Sequence, residues 1–270
     1  MNKKFEKNLR KYANLLLRKG VNLQEGQDIV IASSTEHAYF VEMLVDICYK
    51  DIKSGNVIVN WNNSKITRSK FEFASDEVLT NVFDHELAKM QELVDNEACM
   101  LGVGSSNPDL LKGIDPKKIA MAGKASAIAM QPFRKYRMDG TVRWCGAAIA
   151  DSIWASKIFP DLPKEEAVDK LWEYIFKATR IDLDDPVAAW DDHNNLLQNK
   201  SKWLNDEKFE YLHYEGAGTD LMVGLAEKNK WVCAAQEGKG GTWYIPTIPT
   251  EEFFTTSSRS NVNGTLRSTI

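Results

Sequence analysis

The sequence lacks several features that would place it in a familiar class at once. It has no uninterrupted apolar run approaching the ~20 residues of a membrane-spanning helix. Its net charge of −4 gives no overall attraction for the phosphates of nucleic acid. It also contains no H-E-x-x-H, G-x-S-x-G or G-x-x-x-x-G-K-[S/T] motif. We therefore expect neither a membrane nor a nucleic acid among its partners.

Cysteine is scarce, and no C-x-x-C pair occurs. The cysteines are widely spaced, as expected of buried thiols in a reducing compartment rather than of disulfides or a zinc knuckle; they are Cys48, Cys99, Cys145 and Cys233. A continuous apolar segment of the kind found in secretion signals is also missing from the N-terminus. Phe5, Leu9, Tyr12 and Leu16 instead follow helical spacing between basic residues, which predicts an amphipathic helix. These features favour a cytoplasmic location.

The first part of the chain alternates strand-like and helix-like segments. Short apolar runs predict strands at 28–33, 56–61, 98–103 and 143–150, with helical patterns between them. Strands that alternate with helices indicate a parallel sheet covered on both faces. The predicted fold class is therefore α/β, with a doubly wound parallel sheet.

The second part changes from helices to strands. Helices are predicted from Pro163 and from Asp185-Pro186, and strands at 209–214, 220–225 and 231–235. We expect an α/β domain over residues 1–205 and the beginning of a β-rich domain over 206–270. Because the sequence ends on an apparent strand, we also expect this second domain to be truncated.

Glycine and proline suggest turns rather than cofactor loops. Gly102-Val-Gly104 is interpreted as a strand-to-helix turn, because the third glycine of a dinucleotide loop is missing. Gly238-Lys-Gly-Gly241 is interpreted as a hairpin tip, because no helix follows it. Asn107-Pro108 and Asp115-Pro116 each resemble an N-cap followed by proline at the first helical position.

The histidines are scattered along the sequence. His37 follows the first strand, near Ser33 and Ser34, at the carboxyl edge where ligands bind in such sheets. A structural role at a helix start is the competing interpretation. His193 lies beside two aspartates, and we interpret it as a capped or surface-satisfied side chain rather than a metal ligand. His85 and His213 have no ligand-like neighbours.

A proline-rich segment near the C-terminus is the most distinctive part of the sequence. Pro246 and Pro249 favour an extended backbone, and Glu251 and Glu252 follow directly. Adjacent side chains of an extended chain point to opposite faces, so one glutamate at most can face a given site. A stiff segment that ends in a carboxylate suits a metal ligand. The alternative is an exposed charged pair on an edge strand.

Several motifs together resemble the aminopeptidase T family of metal-dependent aminopeptidases. They are Pro246–Thr255 (PTIPTEEFFT), Leu212–Leu221 (LHYEGAGTDL), Trp154-Ala155 with Phe159-Pro160, and the set Trp172, Arg180, Asp185-Pro186, Trp190 and His193. The resemblance covers essentially the whole chain. It implies an N-terminal α/β domain followed by a catalytic domain, which removes N-terminal residues from peptides, binds two divalent metal ions such as zinc or cobalt, and typically forms a homodimer.

The resemblance also assigns one metal ligand within this sequence, Glu252. It implies that the remaining ligands lie beyond Ile270. If Glu252 faces the metal, strand alternation predicts that Glu251 points away from it. No histidine of the first domain is then expected to reach the site. Two alternatives remain: a non-catalytic scaffold or subunit of the same fold, and a different α/β enzyme with its ligand near Ser33, Ser34 and His37.

Overall fold

The computed structural model describes residues 3–268. Its strands are β1 Ile29–Ser34, β2 Val57–Asn62, β3 Cys99–Gly104, β4 Trp144–Ala148, β5 Tyr211–Gly216, β6 Thr219–Leu225, β7 Val232–Cys233, β8 Gln236–Glu237, β9 Trp243–Tyr244, β10 Thr247–Ile248, β11 Phe253–Phe254 and β12 Ser257–Thr265. Its α-helices are α1 Lys3–Leu15, α2 Ala38–Ile47, α3 Ser64–Phe73, α4 Asp76–Thr80, α5 Asp84–Asp95, α6 Pro116–Ala129, α7 Gln131–Met138, α8 Ser152–Ile158, α9 Lys164–Ala178 and α10 Pro186–Glu207. Single π-helical turns, Leu16–Gly20 and Cys48–Ile52, continue α1 and α2.

The largest sheet of the described residues has the strand order β10-β4-β3-β1-β2, and every neighbouring pair is parallel. The four strands predicted in the first part of the sequence are confirmed. The edge strand β10 was not predicted as part of this sheet. It comes from the proline-rich segment, where Thr247 pairs with Gly146 of β4. The flanking prolines have no N–H to donate, which is consistent with so short a strand.

Both faces of this sheet are covered, which confirms the doubly wound α/β class. On one face Val30 packs with Leu93 of α5, and Met100 packs with Phe133 of α7. On the other face the Cys145 side chain lies against Gly20, where a Cβ atom would come within 2.8 Å of its Sγ atom. Side chains alternate along a strand, so each strand serves both layers.

Aromatic rings build the layer that contains α1. Tyr12 is fully buried, stacks on Phe40 at 5.7 Å between ring centroids, and donates its hydroxyl to the Ala148 carbonyl. Trp172 of α9 packs edge-on against Tyr12. The predicted amphipathic helix is therefore confirmed, and its apolar face forms part of the core.

Two turn predictions hold and two are wrong. Asp115 caps α6 by accepting from the Lys117 N–H, and Gly238–Gly241 lies at the tip of the β8–β9 hairpin. Gly102 and Gly104, however, lie inside β3 rather than in a strand-to-helix turn. Asn107 makes the same kind of side-chain bond, to the Asp109 N–H, but the residues after it form successive i to i+3 turns and no helix.

The cysteines are free thiols, and each of them is buried. Burial raises the pKa of each thiol, most clearly at Cys145, where it outweighs a backbone hydrogen bond from Ile248. A buried thiol with a raised pKa is protonated and unreactive at neutral pH. Among residues 3–268 no helix has the length and apolar character needed to cross a membrane.

Contacts between residues divide the chain into two compact units. One unit runs to Ala189 and takes in Gln236–Pro249, and the other consists of Trp190–Ala235 and the segment from Thr250 onward. The sequence predicts a single domain boundary at 205/206. The chain instead passes between the two units three times, after residues 189, 235 and 249. The first unit thus includes the β8–β9 hairpin and β10.

The second unit contains an antiparallel sheet in the order β12-β6-β5. Tyr211 pairs with Gly224, and Leu221 pairs with Gly264. Gly264 has a φ of 126°, and a Cβ atom there would lie 2.0 Å from the Asp220 carbonyl oxygen, so only glycine fits. A second, short ladder joins β7 and β11.

Candidate metal-binding segment

The segment that carries the predicted metal ligand follows β10 and leads into β11. Residues 250–252 have no regular secondary structure in this stretch. The strand alternation that we used to separate Glu251 from Glu252 therefore does not apply, because neither residue is in a strand. The position of each carboxylate depends instead on how the neighbouring residues are anchored.

The first anchor is a buried histidine on α10. His193 is 8% exposed, and its Nε2 atom lies 2.9 Å from the Thr250 carbonyl oxygen. A carbonyl can only accept, so Nε2 must carry the proton. Trp190, which is fully buried, packs edge-on against the imidazole at 5.3 Å. His193 is therefore satisfied, as predicted, but it is buried rather than at the surface.

The second anchor is the side chain of Phe253. It packs against Leu197 of α10, against Cys233 at the end of β7 and against the next residue, Ala234. The backbone of Phe253 also pairs with Cys233 in the antiparallel ladder. Together the His193 and Phe253 contacts fix the backbone on both sides of the two glutamates.

A row of polar side chains on α10 binds the backbone of residues 231–235, the segment with which Phe253 pairs. The Asn205 carboxamide pairs with both backbone groups of Trp231, and Ser201 donates to the same Trp231 carbonyl at 2.9 Å. Gln198 donates to the Ala235 carbonyl, and Asn194 accepts from its N–H. These residues recur at helical spacing along α10, but the sequence pattern alone did not predict this role for them. This row fixes residues 231–235 against α10. Because Cys233 in that segment pairs with Phe253, the row also helps to fix the backbone next to Glu252.

The two glutamates differ in their surroundings. Glu251 Oε2 lies 3.2 Å from His193 Nε2, and its side chain is about two-thirds exposed. Glu252 is exposed, and within the described residues its carboxylate makes no hydrogen bond or ion pair. Of the two, Glu252 thus presents the uncommitted carboxylate.

A histidine contacts this segment from within the same compact unit. His193 was assigned to residues 1–205, yet it contacts both Thr250 and Glu251. It does so through an N–H that is already committed to a carbonyl, so it supports the segment and does not offer a lone pair to a metal from Nε2. Of the other histidines, His213 pairs with Asp220 at 2.8 Å, and His85 stacks on Phe83.

The residues present do not complete a metal site by themselves. No group of three or more His, Cys, Asp or Glu side chains among residues 3–268 is arranged to hold a metal ion. A catalytic metal needs about three protein ligands and an open position. Glu252 therefore fits the part of one ligand in a site that requires others, and no catalytic step can be derived from it.

Comparison with known proteins identifies the class as that of the metalloproteases. The family model described as thermophilic metalloprotease (M29) matches residues 5–270. The chain belongs to this M29 family.

Individual relatives agree with this assignment. Aminopeptidase AmpS of Bacillus subtilis (strain 168) is 39% identical over 265 residues, and aminopeptidase T of Thermus thermophilus is 38% identical over 263. The matches cover 98% and 97% of this chain but 64% of each relative. The solved structure of wild-type AmpT from Thermus thermophilus superposes with a TM-score of 0.88 at 36% identity, covering 96% of this chain and 64% of that one. The chain thus spans about two-thirds of the length of the relatives it matches.

Proposed function

We propose that this chain contributes to a metal-dependent aminopeptidase that removes N-terminal residues from peptides, with Glu252 as a metal ligand. The observation that supports this most directly is the geometry around Glu252. Its carboxylate is uncommitted, while the backbone on either side is fixed by the His193–Thr250 hydrogen bond and by the packing of Phe253. Ligands held in this way lose little freedom when they bind a metal. The M29 membership and the aminopeptidase names of the relatives support the class of reaction.

The finer parts of the proposal follow the family resemblance. We propose two divalent ions, zinc or cobalt, and place their remaining ligands outside residues 3–268, because those residues hold no ligand cluster of their own. We also propose a peptide substrate, a homodimeric assembly and a cytoplasmic location. The alternative is a non-catalytic scaffold or subunit of the same fold. Such a protein would have no peptidase activity, and Glu252 would bind no metal.

The test measures hydrolysis of an aminoacyl p-nitroanilide and bound metal together. We compare the 270-residue chain, a form continued to the length of the relatives, and Glu252→Ala in that longer form. We expect no hydrolysis by the 270-residue chain, even with added zinc or cobalt. The longer form should be active, and its Glu252→Ala variant should lose metal and activity together while its circular dichroism spectrum is unchanged.

Glu251→Ala is the matched control, because it removes the adjacent carboxylate and leaves Glu252 in place. We expect it to keep most of the bound metal. Loss of metal in Glu251→Ala but not in Glu252→Ala would transfer the ligand role to Glu251. An active 270-residue chain would show that the chemistry lies elsewhere, and an inactive longer form that binds no metal would favour the scaffold.

A further inference from the structure

A polar cleft lies in the first unit, at the carboxyl edge of the parallel sheet. In the order β10-β4-β3-β1-β2, the chain passes from β1 to β2 on one side and then crosses to β3 on the other. The connections after β1 and β3 therefore diverge, which opens a crevice at the point where open α/β sheets bind ligands. The cleft has a volume of about 410 Å³. This volume is sufficient for a small organic molecule.

A buried histidine with unused hydrogen-bonding capacity lines this cleft. His37 is 3% exposed, and neither ring nitrogen has a hydrogen-bond partner within residues 3–268. Its Nε2 atom lies 3.8 Å from Asp151 Oδ2, which is an ion-pair distance but too long for a hydrogen bond. Leaving a buried polar group unpaired costs roughly 1–3 kcal/mol, so such a group in a cleft indicates a partner that binds there.

The charged side chains that line the cleft are carboxylates. Asp151 accepts from the Ser105 hydroxyl and from the Trp154 N–H, and Glu36 accepts from Ser34. Burial alone would raise the pKa of Asp151, but these hydrogen bonds and the nearby His37 outweigh it and lower the pKa to about 2. Asp151 is consequently ionised at neutral pH. Among the described residues that line the cleft there is no lysine or arginine.

This set of groups excludes three common kinds of site. A hydrolytic triad needs histidine between serine and aspartate, whereas here Asp151 lies between Ser105 and His37. A phosphate site needs positive charge or free backbone N–H groups, and the side chains here are negative. A metal site is also disfavoured, because no three-ligand cluster occurs among residues 3–268. The remaining role is to bind a ligand that donates hydrogen bonds and carries positive charge.

We propose that this cleft binds a primary ammonium group, with Asp151 as its charge partner and His37 as an additional acceptor. An ammonium group has three N–H donors and no acceptor, which matches a cleft rich in oxygen acceptors. Charge-assisted hydrogen bonds of this kind are stronger than neutral ones. The ligand can be a free amine, an amino acid or the N-terminus of a peptide. Because the cleft lacks a cation, a free carboxylate on the ligand weakens binding.

The test titrates the metal-free 270-residue chain with probes and follows the imidazole nitrogen shifts of His37 by NMR. Leucinamide and n-butylamine should bind and shift these signals. Leucine should bind more weakly because of its carboxylate. Isocaproamide, which matches leucinamide but lacks the amine, and inorganic phosphate should not bind. Because a chelator removes any metal, binding at a metal near Glu252 cannot contribute to the signal. The result therefore does not depend on the proposed peptidase activity.

Asp151→Asn is the decisive variant, because asparagine keeps the N-cap of α8 while it removes the charge. We expect it to bind leucinamide about tenfold more weakly or worse, since a charge-assisted contact is lost. Asp46→Asn is the matched control: it removes an exposed carboxylate on α2 that does not line the cleft, and it should leave the affinity unchanged.

Several outcomes would overturn the proposal. Equal binding of leucinamide and isocaproamide would show that the amine is not recognised. Binding of phosphate in preference to the amines would make this an anion site. An affinity for leucinamide that is unchanged in a folded Asp151→Asn variant, or an absence of any His37 response to the amines, would equally refute it.

Discussion

The two compact units bury their sheets to very different extents. In the parallel sheet four of the six residues of β1 are buried, and Ile29 and Ile31 have no exposed surface. In the antiparallel sheet β5 and β12 are mostly exposed, and Val262 is about half-exposed. The first unit therefore derives its stability from apolar burial on two faces. The second depends more on a small cluster around Leu197 and on the polar row along α10.

This difference corresponds to different tasks. A metal ligand needs a rigid backbone and an accessible side chain. Glu252 has both, because its neighbour Thr250 is anchored and its own carboxylate is exposed. The cleft beside His37 is a different case, because its histidine is buried and its carboxylate Asp151 is only partly exposed. The first arrangement suits a ligand of a larger site, and the second suits a small molecule that enters a crevice.

The largest effect should come from a core substitution in the parallel sheet. Ile31→Ala truncates a fully buried side chain of β1, the strand between β2 and β3, and should cost about 2–5 kcal/mol of unfolding free energy. Val262→Ala, in the exposed strand β12, should change it by no more than about 0.5 kcal/mol. Hydrogen exchange in increasing urea, resolved by mass spectrometry, reports on each unit separately. Equal costs for both variants would contradict the contrast in burial.

An intermediate effect is expected at the anchor of the candidate metal-binding segment. His193→Ala removes the donor to the Thr250 carbonyl and the contact with Trp190, which should cost roughly 1–3 kcal/mol. Exchange protection should fall chiefly in residues 250–254. His213→Ala is the control, because its pairing with Asp220 is exposed and should contribute little. Unchanged protection in His193→Ala would mean that Phe253 alone fixes the segment.

A smaller effect concerns pH and Asp151. Its pKa is lowered from 3.8 to about 2 in the folded state, so the folded protein favours the ionised form. The resulting stabilisation is fully present above about pH 4 and is lost as the pH falls towards 2. The difference in urea midpoint between the parent chain and Asp151→Asn should therefore shrink over this interval and stay constant from pH 5 to about 7. A constant difference across the acid range would refute the lowered pKa.

Local sequence patterns determined much of the fold. The apolar runs predicted β1, β2, β3 and β4 to within one or two residues at most ends, and Asp115-Pro116 correctly predicted the start of α6. These predictions succeed because burial on both faces leaves a continuous apolar run, and because an N-cap acts within a single turn. The motifs around Glu252 likewise indicated the family to which the chain belongs.

Only the tertiary structure decided which distant residues meet. Thr247 and Ile248 join β4 across about a hundred residues of sequence, although their local pattern suggested only an extended segment. His193 reaches Thr250, and His37 lies opposite Asp151, through contacts that no short-range pattern encodes. Periodicity reports which face of an element is buried, but not which partner it meets. The pairing of elements depends on strand order and packing within each unit, which assemble the acceptors of the cleft in one unit and the anchors of Glu252 in the other.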